Sequence, residues 1–266
     1  MPPALAPPTY HAAPQALGWV ADVAQPGWTN LTWGGNSYIN PHGLVADGTR
    51  LFAACTVPYV NGVDVQGLGC WDGCTWSALR DPRIPENYWS ASGFVTRANT
   101  YVLGHWSNRL YMAGSFHYDA AGGPDGVIGS YWDGAQWNAW PFPRLTYPVI
   151  GLNDLDGASN GLYVAGSDFS FYPTLTNGYP VGHRVGFWDG THWLTLGEGI
   201  TNGYLQTVRV APKGDVYVGG RFTVSCVDGL ARNVARWDGS NWWAMAGGVY
   251  WSATYAPIVH AIEVEG

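Results

Sequence analysis

Trp237-Asp238-Gly239-Ser240-Asn241-Trp242 is the stretch that decides the fold. Asp-Gly between two Trp residues is a tight-hairpin signal: Gly supplies a positive φ, and the Asp carboxylate bonds back to the turn backbone. The two Trp residues are then expected on facing strands. The same figure stands at Trp71-Asp72-Gly73 with Trp76, Trp132-Asp133-Gly134 with Trp137, and Trp188-Asp189-Gly190 with Trp193. The second Trp recurs at intervals of 61, 56 and 49 residues, so loops vary in length around a constant frame.

Upstream of each turn lies a second block. It reads Leu51-Phe52-Ala53-Ala54-Cys55, Leu110-Tyr111-Met112-Ala113-Gly114, Leu162-Tyr163-Val164-Ala165-Gly166 and Val216-Tyr217-Val218-Gly219-Gly220. Each is an alternating strand that ends in small residues, where neighbouring backbone comes close. A third, short apolar block precedes it, at Leu44-Val45, Val102-Leu103, Val149-Ile150 and Val208-Arg209-Val210. Short polar turns join these two blocks; the third is placed at residues 156–161. Each unit is therefore four antiparallel strands, which is the blade of a propeller.

The pattern resembles the Kelch and galactose-oxidase-like propellers. It is more similar still to bacterial surface proteins with Trp-Asp-Gly repeats, on residues 216–220, Phe222 and residues 237–242. The resemblance implies a fold; it implies little about function, because such repeats serve many roles.

The ends supply a fifth, split copy. Residues 28–31 read as a fourth strand and residues 17–23 as its third, while residues 258–264 read as a first strand. Joining both termini in one blade removes exposed sheet edges. The expected fold is all-β: a β-propeller of five blades of four antiparallel strands, its closing blade split between the termini. Residues 1–16 are a Pro-rich N-terminal extension and residues 17–266 one propeller domain. No second strand is evident for the closing blade, which leaves open a longer array or a segment from another subunit.

Composition agrees with short strands. Of 266 residues, 37 are Gly and 18 Pro, and Trp and Tyr number 16 each, while only 12% are charged. The net charge of −7 and the single Lys, Lys213, argue against nucleic acid. No apolar run is long enough for a membrane span. The opening residues lack the features of a signal peptide. The even number of Cys (Cys55, Cys70, Cys74, Cys226) leans towards an exported protein, and a bridge from Cys70 to Cys74 across the first turn is sterically plausible.

Function is expected on the face opposite the Trp-Asp-Gly turns. Its connections are long and variable, at residues 56–67, 81–100, 117–126, 168–183 and 224–233. The blade-to-blade connections carry Tyr38, Tyr88, Trp89, Tyr147, Tyr204, Tyr250, Trp251 and Tyr255. Flat rings with polar tips suit sugar faces and protein partners, and equally suit wedging between blades.

The expected role is thus a non-catalytic, extracellular or cell-surface propeller that binds glycan or a surface protein. One alternative is a subunit of an extracellular assembly, a homo-oligomer joined by strand exchange. Another is a glycoside hydrolase, for which first-strand acids such as Asp47, Asp154, Glu263 and Glu265 would have to form a facing pair. No cofactor is expected. The metal candidates are His42, His105 and His260, on or beside first strands.

Overall fold

A computed structural model describes residues 41–48, 50–55, 59–60, 63–65, 68–79, 81, 98–116, 126–140, 152–170, 183–249 and 257–265. Among them the secondary structure is strand only, in four four-stranded antiparallel sheets. Sheet 1 runs β1 (Pro41–Asp47), β2 (Arg50–Cys55), β5 (Leu68–Trp71) and β6 (Trp76–Ala78). A small hairpin, β3 (Tyr59–Val60) and β4 (Val63–Asp64), is inserted in it. Sheet 2 is β7 (Ala98–Trp106), β8 (Arg109–Phe116), β9 (Gly126–Trp132) and β10 (Trp137–Trp140). Sheet 3 is β11 (Leu152–Ala158), β12 (Gly161–Ser170), β13 (His183–Trp188) and β14 (Trp193–Thr195). Sheet 4 is β15 (Tyr204–Val210), β16 (Val216–Cys226), β17 (Gly229–Trp237) and β18 (Trp242–Trp243).

The four Trp-Asp-Gly turns are copies of one another. In each, one Asp oxygen accepts the backbone N–H groups two and three residues on, at 2.7–2.9 Å. The Gly φ lies between 99° and 102°, a region costly for any side chain. The flanking Trp residues are register partners, with ring centroids 5.3–5.7 Å apart. Aromatic pairs at this separation add to strand pairing.

The sheets stack in sequence order through their first strands: β1 lies beside β7, β7 beside β11, and β11 beside β15. Three apolar clusters fill the interfaces. Phe52, Ala54 and Cys70 meet Leu103, Leu110 and Met112. Tyr111, Ala113 and Trp140 meet Leu155, Leu162, Val164 and Trp193. Tyr163 and Ala165 meet Val208, Val216, Val218 and Trp242. The arrangement is propeller-like.

At the inner end of the first two interfaces a branched side chain fits against a small residue. Leu103 sits over Gly43, where an added Cβ would be 3.5 Å from Leu103 Cβ. Leu155 occupies the space beside Gly104, and a Cβ on Gly104 would overlap its Cδ2.

Several expectations need correction. The first strand of the third unit is Leu152–Ala158, so Asp156 lies in a strand and not in a turn. Residues 224–233 are no free loop: most of them extend the β16–β17 ladder out to Cys226 and Gly229. Likewise 56–67 contains the β3–β4 hairpin. Cys70 and Cys74 are both free thiols, one buried and one exposed. Residues 258–264 join no strand ladder among the described residues, although the backbone N–H of Val259 donates to Gly220 O. Residues 1–40, and with them strands expected at 17–23 and 28–31, lie outside the described residues.

The Gly104–Leu155 fit gives a double-mutant cycle. Gly104→Ala should cost about 1–3 kcal/mol by overpacking, and Leu155→Ala about 2–5 kcal/mol. The double variant should be more stable than the sum predicts by about 1 kcal/mol, because the new methyl occupies vacated space. Urea denaturation of the four proteins measures this; strict additivity would contradict the packing.

Candidate functional site

A cavity of about 430 Å³ opens between the first strands of all four sheets. Its lining runs from residues 43–45 of β1 through 102–105 of β7 and 153–156 of β11 to Arg209 of β15. The polar groups concentrate on the β11–β15 side. Asp154 and Asp156 are two residues apart on β11 and so point to the same face, towards β15. Asp154 Oδ2 accepts from Thr207 Oγ1 (2.8 Å), Val208 N–H (3.0 Å) and Arg209 Nη1 (2.6 Å). Its Oδ1 accepts the N–H of Leu155. Asp156 Oδ2 accepts the N–H of Val210 (2.8 Å), and its Oδ1 that of Gly157. Asn153 Nδ2 donates to Leu205 O.

The amides of Val208 and Val210 belong to an edge strand and turn away from β16. Unsatisfied edge groups are costly when covered by protein. The two carboxylates satisfy them, and the arrangement ties sheet 3 to sheet 4. Burial raises the Asp156 pKa against the pull of the Val210 N–H and Arg209. The turn carboxylates shift the other way: backbone N–H bonds lower Asp72 and Asp133 and take Asp189 to about 2, while the Trp243 indole N–H, with the backbone N–H groups of the turn behind it, lowers Asp238. Every oxygen of Asp154 and Asp156 is therefore occupied in holding backbone, and the pair stands on one strand rather than across the cavity. What the cavity offers a ligand is the half-exposed Arg209 and His105 beside apolar β1 and β7.

The other end of the sheets carries the variable connections. Tyr204 is the first residue of β15 and not part of the preceding connection; it pairs with Arg221 and is half-buried. Asn202, two residues earlier, clamps Thr223 both ways: its Nδ2 donates to Thr223 O and its Oδ1 accepts the Thr223 N–H, at 2.7 and 2.8 Å. Buried Asn233 accepts the Phe222 N–H and donates to Val249 O. These amides fix the backbone around Tyr204. The tip of the β16–β17 hairpin folds outward instead, with Val227 N–H on Trp242 O and Asp228 Oδ1 taking the Ala244 N–H. It covers the outer edge of β18.

Of the other aromatic candidates, Tyr38, Tyr88, Trp89, Tyr147, Tyr250, Trp251 and Tyr255 lie outside the described residues. His105 lines the cavity, His260 is exposed, and the side chain of His42 is not described. Among the described residues no three metal-ligating side chains come together. No helix of the described residues is long and apolar enough to cross a membrane. Sequence reasoning passed over Asn153, Asn202 and Asn233, which carry no recurring signature; a polar amide beside a strand end was the one available sign.

Two outcomes test this geometry. Asp154→Ala should lower stability by about 2–3 kcal/mol in urea, since it strips charge-assisted bonds from partly buried donors. The two kinds of carboxylate should also oppose each other with pH. Turn carboxylates with depressed values stabilise the fold above pH 4, and that contribution is lost as pH falls through them, for Asp189 near 2. Asp156, with a raised value, favours the native state while protonated and loses that contribution as pH rises through the raised value. Carboxyl NMR titration should find Asp189 ionising well below 3.8 and Asp156 above it. No protein-family model matches the chain, and no curated protein matches it.

Proposed function

We propose that the chain is a five-bladed β-propeller of the Kelch and galactose-oxidase-like kind, its closing blade split between the termini. In this reading it is a non-catalytic, exported or cell-surface module that binds glycan or another surface molecule through the face opposite the Trp-Asp-Gly turns. The observation that carries the reading is the contrast between the two ends of the sheets. At one end four turns repeat the same bonds. At the other the connections differ in length and sequence, and an aromatic, Tyr204, is held on a strand by clamped neighbours. A rigid frame with one variable end is what a recognition surface requires. The saturation of Asp154 and Asp156 favours binding over hydrolysis, because a retaining or inverting pair needs carboxylates free on either side of the scissile bond.

Glycan-array screening followed by calorimetry tests it. Tyr204→Ala should weaken the best ligand about tenfold, the order of one lost ring contact with its burial. Asp238→Asn, at the opposite end, should leave affinity unchanged. Absence of binding to any glycan or surface extract, or equal losses from both variants, would sink the proposal.

A further inference from the structure

The four first strands share one register. Each has an irregularity at the same place, and just after it Gly43, Val102, Asp154 and Thr207 pair with Ala54, Ala113, Ala165 and Gly219. The residues that follow, Leu44, Leu103, Leu155 and Val208, are therefore equivalent. In an antiparallel pair alternate residues turn both N–H and C=O away from the partner strand. Val208 is one of them, because its N–H leaves β16 and reaches Asp154 Oδ2. Leu44 and Leu103, in the same register, turn their N–H groups inward likewise.

Between β11 and β15 one carboxylate bridges two such groups. Asp154 accepts the Leu155 N–H on Oδ1 and the Val208 N–H on Oδ2, at 2.9 and 3.0 Å. Two residues on, Asp156 bridges the N–H groups of Gly157 and Val210 in the same way. Between β1 and β7 the equivalent of Asp154 is Gly43, which has no side chain to offer. A Cβ there would stand 3.2 Å from the backbone N of Leu103. The N–H groups of Leu44 and Leu103 thus border the place a carboxylate would fill, and no side chain among the described residues bonds them. Both residues line the cavity of about 430 Å³, a size that suits a small organic ligand. Its β1 side is open to entry: Leu44 is 59% exposed, against 4% for Leu155. Arg209 lines the same cavity, with Nη1 held by Asp154 and Val208 O. Among the described residues nothing accepts from its Nε or Nη2.

We propose that this cavity binds a small hydroxycarboxylic acid, whose carboxylate bridges the N–H groups of Leu44 and Leu103 as Asp154 bridges those of Leu155 and Val208. Backbone N–H groups that converge on one point hold an oxyanion well, and the charge strengthens each bond. The C=O groups of Leu44 and Leu103 turn the same way as their N–H groups. A hydroxyl beside the carboxylate therefore finds an acceptor, whereas an anion without one meets those oxygens with no proton to share. The Arg209 guanidinium balances the added charge from across the cavity. The site is separate from the recognition face proposed above and stands whether or not that face binds glycan.

Amide NMR of the full chain, labelled with heavy nitrogen in leucine, tests the site with glycolate as the probe. The amide protons of Leu44 and Leu103 should move downfield together and saturate with one dissociation constant. The Leu155 amide, already on Asp154, should stay in place. Acetate should bind at least threefold more weakly than glycolate, and sodium chloride at equal ionic strength should move neither amide. Gly43→Asp supplies the carboxylate from the chain itself. It should shift both amides without any ligand and weaken glycolate at least tenfold. The titration of the native chain decides the matter even if that variant does not fold. No saturable shift means a cavity that holds only water and overturns the proposal. Equal movement of Leu155 overturns the assignment to the Leu44–Leu103 edge. Binding of acetate or inorganic phosphate as tightly as glycolate overturns the class of ligand.

Discussion

Each sheet of this protein has two apolar faces, and neither can be buried from within the sheet. That constraint governs the rest. A four-stranded sheet with one wet face can be closed by a helix layer, but the described residues contain none. Among the described residues the main cover is the next sheet, with Val259 and Ile262 of the C-terminal segment lying against Gly219 of sheet 4. Tyr111 and Ala113 of sheet 2 need Leu155 and Val164 of sheet 3, while Leu103 and Met112 on the other side of sheet 2 need Phe52 and Ala54 of sheet 1. Burial of this kind is serial, so the sequence repeats the same large and small residues once per sheet.

The polar consequences of stacking fall on the edges. An inner strand presents amides towards the cavity, and an outer strand presents them to solvent. Between sheets 3 and 4 the inner edge is satisfied by Asp154 and Asp156. The corresponding positions of β7 are Val102 and Gly104, and of β1 Gly43 and Val45, where apolar plugs are accommodated instead. One geometric position thus serves two ends: a small residue admits a side chain from the next sheet, and a carboxylate reaches across to its backbone. The outer edge of β18 is covered by the Val227–Asp228 tip of its own sheet's hairpin. Paired or covered edges resist strand addition by other chains.

The sequence made the frame readable because the frame recurs. The Trp-Asp-Gly turns, their facing Trp pairs and the small-ended second strands all repeat, and repetition separates a structural demand from chance. The first strands were harder. Val149 and Ile150 look like the apolar start of one, yet the ladder is Leu152–Ala158, with Asn153, Asp154 and Asp156 facing a neighbouring sheet. Acids in a strand read as solvent-facing or catalytic, because nothing local reveals that edge amides lie opposite, 53 to 55 residues away. Residues 224–233 read as a loop from their turn-forming Asp228-Gly229, which is the tip of a longer hairpin. Of the aromatic residues expected on the proposed binding face, Tyr204 alone falls among the described residues.

Asp154 and Tyr204 also show how a non-recurring residue should be judged. Both stand outside the repeat, so neither is required by the frame as such. Asp154 is saturated: four donors meet its two oxygens, and removing them for a ligand would expose edge amides of β15. Binding there would have to compete with the tie between two sheets, at the full cost of the lost bonds. Tyr204 has its backbone in the ladder and no hydroxyl partner among the described residues, so its ring and tip are available without breaking anything. Availability, more than departure from the repeat, is the property by which the proposed reading takes Tyr204, and not Asp154, as a binding residue, at the end of the sheets where the constraint of serial burial is already met.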